Sequence, residues 1–310
     1  MHSLLSIATV STSLPRQSHC LNSNCPFPHN EFGRDRCEAC DAHLLLSDRF
    51  LLGERLRNRG NTNTSLTFVV DKANPNGPQR LLKVLHRSET KWLKQFRQEA
   101  RLLRDLSQPS QQVAFKYSAS QAITPCSLVP RSEKEDWLEF DWNSGIDCPA
   151  GIVMDYFPGR SLATDLNQNG PIPWARLRVW LPQLIQLVYF LHRNQIIHGD
   201  IKPDNLILHQ DRLHMVDFGA AGFVGSFPFL PQGSPGYCPM EIVRNRLAYQ
   251  RDWCALGRTC IELLTGHHPV ELIQRGEFSL RGDRSNLDWR SLVPQISPSL
   301  GQRMNTWMTI

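Results

Sequence analysis

The chain has 310 residues, 41% hydrophobic and 20% charged, with a formal net charge of +5, the balance of a soluble globular protein with room for one two-lobed domain or two ordinary ones. It has no Lys/Arg block of the kind that tracks a nucleic-acid backbone, so nucleic acid is not an expected partner. No apolar run approaches the ~20 residues that a bilayer span needs.

Met1 to Val10 is weakly apolar with no Lys or Arg before it, which does not make a secretory signal. Residues 1–19 are Ser/Thr-rich and aperiodic, and are predicted to be a disordered leader. Nine cysteines, an odd number, without a signal peptide point to a reducing cytoplasm rather than to a secreted disulfide scaffold. Four of them crowd into a module at 20–45, spaced Cys20-x4-Cys25-x11-Cys37-x2-Cys40. Four thiolates can close a tetrahedral zinc site, and C-x-x-C is a usual half-site. A redox pair at Cys37 and Cys40 or an iron–sulfur centre would use the same residues. A segment this short cannot build a core of its own, so some staple is expected. His19, His29 and His43 flank it as solvated loop residues.

From about Phe50 the pattern is that of a folded domain. Leu66 to Val70 and Leu81 to Leu85 are short apolar runs around a turn at Asn74-Pro-Asn-Gly-Pro78, and are predicted to be strands. Trp92, Phe96, Ala100 and Leu103 recur at helical spacing within Lys91 to Leu106. Residues 107–150, with Trp137 and Trp142, read as long connections with a strand or two. Gly151 to Phe157 is another strand. A long helix follows Pro173, with an apolar face of Leu177, Trp180, Leu181, Leu184, Leu187, Val188 and Leu191; Pro182 should kink or restart it. Leu206–Leu208 and Leu213–Val216 form a hairpin around Gln210-Asp211. Asp252 to Thr265 is apolar nearly all round, the mark of a buried helix. Strands and one helix first, then mostly helices, predict a two-lobed α+β fold.

The informative stretch is His198-Gly-Asp-Ile-Lys-Pro-Asp-Asn205, followed after the hairpin by Asp217-Phe-Gly219. Here the sequence resembles the eukaryotic-type Ser/Thr protein kinase family, whose motifs H-R-D-x-K-x-x-N and D-F-G share this order and spacing. A lone D-F-G carries no information; the ordered set does. The resemblance covers about residues 50–310 and is nearest to cyanobacterial kinases that open with a four-cysteine motif. It implies a protein kinase-like fold, with a small β-rich N-lobe at about 50–156 and a large helical C-lobe at about 157–310. It further implies ATP and Mg²⁺ as cofactors and a protein hydroxyl as substrate. Oligomeric state stays open.

Phosphoryl transfer needs positioning and charge neutralisation more than covalent help, and Mg²⁺ takes oxygen ligands. By resemblance, Asn205 and Asp217 would hold Mg²⁺, Asp200 would accept or orient the substrate hydroxyl proton, and Lys202 would meet the γ-phosphate. A Lys two residues after this Asp is the Ser/Thr-kinase pattern. Lys83 would hold the α- and β-phosphates and pair with Glu99. Alone, a strand lysine or a mid-helix glutamate is an ordinary surface charge; the complete order Lys, Glu, Asp, Asn, Asp changes that. Met154 stands where the residue gating the adenine pocket belongs, and plain core is the competing reading. Asp155 to Phe157 would be the hinge. Gly233-Ser-Pro-Gly-Tyr-Cys-Pro-Met-Glu241 resembles the end of an activation segment, with Ser234 placed to contact Asp200 and Lys202. Asp252 resembles the residue that caps the catalytic-loop backbone.

Three departures stand out. The glycine-rich loop over the phosphates is reduced to Gly60 within Leu56 to Ser65. His-Gly-Asp replaces His-Arg-Asp, and the arginine normally pairs with a phosphorylated activation loop, so Gly199 implies activation without that phosphate. The chain stops at Ile310, before the helices whose arginine pairs with Glu241, so the C-lobe is expected to be incomplete. These departures support an alternative: a pseudokinase, a kinase-like scaffold that acts by contacts.

Overall fold

A computed structural model describes residues 14–56, 63–107, 115–118, 121–123, 129–133, 136–140, 148–225, 233–238, 248–275 and 293. Gly60, Trp142, Cys126, Glu241 and the segment after residue 275 other than Val293 lie outside the described residues, and with them the expectations placed there. The chain divides into two compact units, residues 1–100 with 132–158, and residues 101–131 with 159–310.

The first unit is built on a six-stranded antiparallel sheet. Its strands are β3 (Leu45–Leu46), β4 (Phe50–Leu56), β5 (Thr64–Asp71), β6 (Arg80–Leu85), β9 (Trp137–Glu139) and β10 (Ala150–Asp155), in the order β3-β4-β5-β6-β10-β9. In β5 buried Ser65, Thr67 and Val69 alternate with half-exposed neighbours, the period-2 pattern of a sheet with one covered face. In β6 every residue from Leu81 to Leu85 is buried, as expected of a strand flanked on both sides, with Leu66 and Ile152 opposite Lys83. Helix α1 (Thr90–Ser107) begins in this unit.

The N-terminal strands correct the sequence reading. Residues 17–19, expected in a disordered leader, form β1 (Gln17–His19), paired with β2 (His29–Glu31). Ser18 is buried, and its hydroxyl donates to the Leu52 carbonyl at 2.6 Å. The partner lies far along the chain, which local composition cannot reveal. Nor does packing separate a cysteine module ending at 45 from a domain beginning at 50. Cys20, Leu21, Cys37, Ala42, Leu44 and Leu46 belong to the same buried cluster as Phe50, Leu52, Val69, Leu82, Val84 and Val153.

A small hairpin, β7 (Phe115–Ser118) and β8 (Gln121–Ile123), lies in the second unit, which is otherwise mainly helical. Its sheets pair β11 (Arg160–Ser161) with β13 (Leu206–His209) and β14 (Arg212–Met215), and β12 (Ile196–Ile197) with β15 (Gly222–Phe223). Gln210 and Asp211 both take positive φ, 48° and 60°, the conformation of a two-residue hairpin turn that matches strand twist. Helix α2 (Leu162–Asn169) is capped by Ser161, whose Oγ accepts from Thr164 N at 3.1 Å. Helix α3 (Trp174–Arg193) runs through Pro182 without restarting. The proline leaves the Arg178 carbonyl without its helical donor, but Arg178 is exposed and water can serve it, while Leu177, Trp180, Leu181, Leu184, Leu187, Val188 and Leu191 are all buried. Helices α4 (Ala248–Thr265) and α5 (Pro269–Gln274) follow.

Candidate active site

In the first unit, Lys83 sits in the middle of β6 and Glu99 on α1. Lys83 Nζ donates to Glu99 Oε1 at 2.7 Å, and the two side chains are 7% and 3% exposed. A lysine buried in a strand is tolerable only with such a partner. Met154, on β10 opposite Leu81, is buried; Asp155 and Phe157 are half-buried at the end of that strand and just after it. Burial of Met154 fits both a gate and plain core.

In the second unit the catalytic loop follows β12 and is fixed at its start. His198 is fully buried; its Nδ1 accepts from Asp200 N at 3.3 Å, which leaves Nε2 to donate to the Val216 carbonyl at 3.2 Å. Its ring packs edge-on against Phe218, centroids 4.9 Å apart. Asp252, from α4, accepts from His198 N at 2.9 Å and Gly199 N at 2.8 Å, so this residue is scaffold for the loop. Thr259 Oγ1 donates to the Ile201 carbonyl at 3.3 Å.

Around Asp200 the contacts converge. Lys202 Nζ donates to Asp200 Oδ2 at 2.8 Å and to Ser234 Oγ at 2.6 Å, and Ser234 N donates to Asp200 Oδ1 at 2.8 Å. Asn205 Nδ2 donates to the Asp200 carbonyl at 2.8 Å and to Oδ2 at 3.1 Å. Burial by itself would raise the Asp200 pKa, but the hydrogen bond and charge of Lys202, with help from Ser234, outweigh it and hold the carboxyl below its ordinary value. Ser234 reaches the carboxyl through its side chain as well as its amide, so Asp200 is oriented at both oxygens.

Asn205 commits its amide nitrogen to Asp200, and what it can offer a cation is Oδ1. Val216 N donates to the Asn205 carbonyl at 3.0 Å, which brings the two loop ends together beside Asp217. Asp217 is exposed and adopts φ 61°, and its Oδ1 accepts from Gly219 N at 3.4 Å. An amide oxygen and a carboxylate are hard oxygen donors that suit Mg²⁺.

One pair here has no place in the sequence reading. Tyr237 OH donates to Glu262 Oε2 at 2.5 Å, both groups buried. Burial, then the charge of Asp204, pushes the Glu262 carboxyl up to about 7 against the hydrogen bond from Tyr237. The signal in the sequence was a carboxylate inside a helix that is apolar nearly all round.

The four cysteines of the first unit come together. Cys20, Cys25, Cys37 and Cys40 have their sulfurs within 4.8 Å of one another. The 3.6 Å contacts join Cys20 with Cys40 and Cys25 with Cys37, across the C-x-x-C rather than within it. All four are free thiols. Burial would raise the Cys37 pKa, yet hydrogen bonds from the Ala39 amide and Asn30 bring it down to about 7.

Residues 79–292 match the family model of the protein kinase domain. Among curated proteins, "Serine/threonine-protein kinase B" of Synechocystis sp. is 28% identical over 291 residues, 89% of this chain and 46% of its own length. "Serine/threonine-protein kinase PknA" of Nostoc sp. is 32% identical over 216 residues, 66% of this chain and 33% of its own. "Serine/threonine-protein kinase PrkC" of Bacillus subtilis is 32% identical over 155 residues, 46% of this chain and 24% of its own. The chain thus spans less than half the length of these relatives. Since the domain match takes in most of the chain, including the Lys83–Glu99 pair and the loop around Asp200, the chain belongs to the protein kinase domain family.

Proposed function

We propose that this chain is a protein-serine/threonine kinase, transferring the γ-phosphoryl group of ATP to a protein Ser or Thr hydroxyl. The observation that carries the reading is the Asp200–Lys202–Ser234 network. Asp200 is oriented from both oxygens and stays ionised, as a group that accepts or orients the proton of a substrate hydroxyl must. Lys202 already stands at that carboxylate and would place a positive charge beside the transferring phosphoryl group. Lys83, held by Glu99, would take the α- and β-phosphates. Asn205 and Asp217 would hold Mg²⁺, which when bound neutralises phosphate charge. Gly60, Met154, Asp155 and Phe157 complete the proposed nucleotide contacts.

The cysteine cluster is proposed as a structural zinc site. Four sulfurs bound to one tetrahedral ion at ~2.3 Å stand about 3.8 Å apart, close to the 3.6 Å contacts of Cys20–Cys40 and Cys25–Cys37. So tight a cluster suits one ion better than a several-iron centre. The odd number of cysteines favours a reducing, cytoplasmic setting, and no helix among the described residues is long and apolar enough to cross a membrane.

The test is transfer of the γ-phosphate from Mg–ATP to the chain itself and to a basic protein, beside Asp200→Ala. Transfer should fall by roughly 100-fold or more in the variant. Folded wild-type protein that binds ATP without any transfer would sink the reading in favour of a kinase-like scaffold.

A further inference from the structure

The motif lacks the arginine that usually stands between His198 and Asp200, and the structure constrains that position. Gly199 adopts φ +76°, and a Cβ on it would lie 2.8 Å from the Ala220 carbonyl oxygen. Both the backbone conformation and the contact with fixed backbone disfavour a larger residue here. A guanidinium is nonetheless present at this point. Arg251 Nη2 lies 3.7 Å from the Cβ position of Gly199 and also 3.7 Å from that of Gly233. The Gly233 position is itself 3.1 Å from the Gly199 carbonyl oxygen, so the two backbones touch. Arg251 is 6% exposed, and its charge also reaches the Cys238 thiol farther along the same segment.

Arg251 precedes Asp252 in α4. The two neighbours therefore address the same loop: Asp252 holds the amides of His198 and Gly199, while Arg251 covers the place where Gly199 meets Gly233. Gly233 is the residue before Ser234, whose amide and hydroxyl make the contacts to Asp200 and Lys202. A guanidinium is charged at every working pH and presents its donors in a rigid plane, so it can fix two backbone segments at once.

We infer that Arg251 is a positioning residue that supplies, from α4, the guanidinium missing from the catalytic loop, and pins the activation segment so that Ser234 meets Asp200 without a phosphate on that segment. The inference rests on the kinase reading above, but its structural half can be tested without catalysis.

The experiment compares wild type with Arg251→Met, which keeps the length of the stem and removes the charge, and with Arg251→Lys. Hydrogen exchange read residue by residue should show the Ser234 amide at least tenfold faster in Arg251→Met, with the His198 and Gly199 amides, held by Asp252, unchanged. In turnover, kcat should drop at least tenfold with KM for ATP within twofold, and phosphatase-treated wild type should keep its activity. Arg251→Lys should fall between, with Ser234 exchange about threefold faster, and it serves alone should the Met variant not fold. Ser234 protection within twofold of wild type in whichever variant folds, or activity lost on phosphatase treatment, would overturn the inference. Wild type without any transfer would refute the kinase reading, while Ser234 exchange would still decide the role of Arg251 in placing the segment.

Discussion

Asp252 is fully buried and faces three donors: the amides of His198 and Gly199, and His192 Nε2 at 3.0 Å. An ionised carboxylate only accepts, so His192 carries its proton on Nε2. Asp252→Asn puts an amide N–H against one of these donors and should cost about 2 kcal/mol in a urea titration. The Lys83–Glu99 pair behaves differently. Removing one partner strands a buried charge, so Glu99→Ala should destabilise by about 3 kcal/mol, whereas Lys83→Met with Glu99→Leu should lose much less, because apolar side chains of similar volume need no partner. A double-mutant cycle in denaturant reads this directly, and additive losses would contradict it. Asp200 should stay ionised through the range where an ordinary carboxylate takes up its proton, since the hydrogen bond and charge of Lys202 hold its pKa below the ordinary value against the effect of burial. An acid limb near neutrality in the rate profile would belong to another group.

At the scale of elements, helix α4 gathers four nearly buried charges, Arg251, Asp252, Arg258 and Glu262. Arg258 Nη1 donates to the Gly236 carbonyl at 2.5 Å and Glu262 holds Tyr237, so this helix grips the segment that carries Ser234 from several points. Glu262 gives that grip a pH dependence. Its folded pKa, about 7, lies above the ordinary 4.5. Below 4.5 both folded and unfolded chains are protonated there and nothing changes. Between 4.5 and about 7 the unfolded chain releases the proton and the folded chain keeps it, so this group's contribution to stability falls as pH rises, then levels off. Glu262→Gln has no such slope. Its stability relative to wild type should therefore improve from about pH 5 to about pH 8, by about 3 kcal/mol at most; a difference independent of pH would contradict the shift.

The same helix shows what the sequence could and could not reveal. That Asp252–Thr265 is a buried helix follows from apolar residues on all sides. That Glu262 meets Tyr237, 25 residues away, and that Arg251 reaches Gly199 do not follow, because each depends on how α4 lies against loops distant in sequence. Lys202, Asn205 and Asp200 were legible together because one short loop carries all three. Of the two outcomes expected at Pro182, a kink or a restart, the restart does not occur, because the buried face of α3 carries the helix through.

For the molecule as a whole, the N-terminal cysteines belong to the core of the first unit. Cys20 and Cys37 are each 3% exposed and share a cluster with Leu52, Leu82, Val84 and Val153. Val84 and Leu82 flank Lys83 on β6, so the wall behind the lysine is partly made by the segment the cysteines hold. The polar strands β1 and β2 cannot hold themselves in place; hydrogen bonds such as Cys20 N to the Pro28 carbonyl at 2.7 Å and Cys37 N to the Ala42 carbonyl at 2.8 Å are local loops that need a closure. A zinc ion would supply it, and its binding energy would be folding energy of the first unit. Protein purified without added zinc should then contain one zinc per chain. A strong chelator, or Cys37→Ser, should speed hydrogen exchange in β4, β5 and β6 together with β1, while α3 and α4 keep their protection. Loss confined to residues 17–46 would mean that the cysteine segment is an appendage and that the shared core contributes little. Metal-free protein with full protection in β4 to β6 would remove zinc from the account and leave the packing of Leu21, Leu44 and Leu46 as sufficient closure.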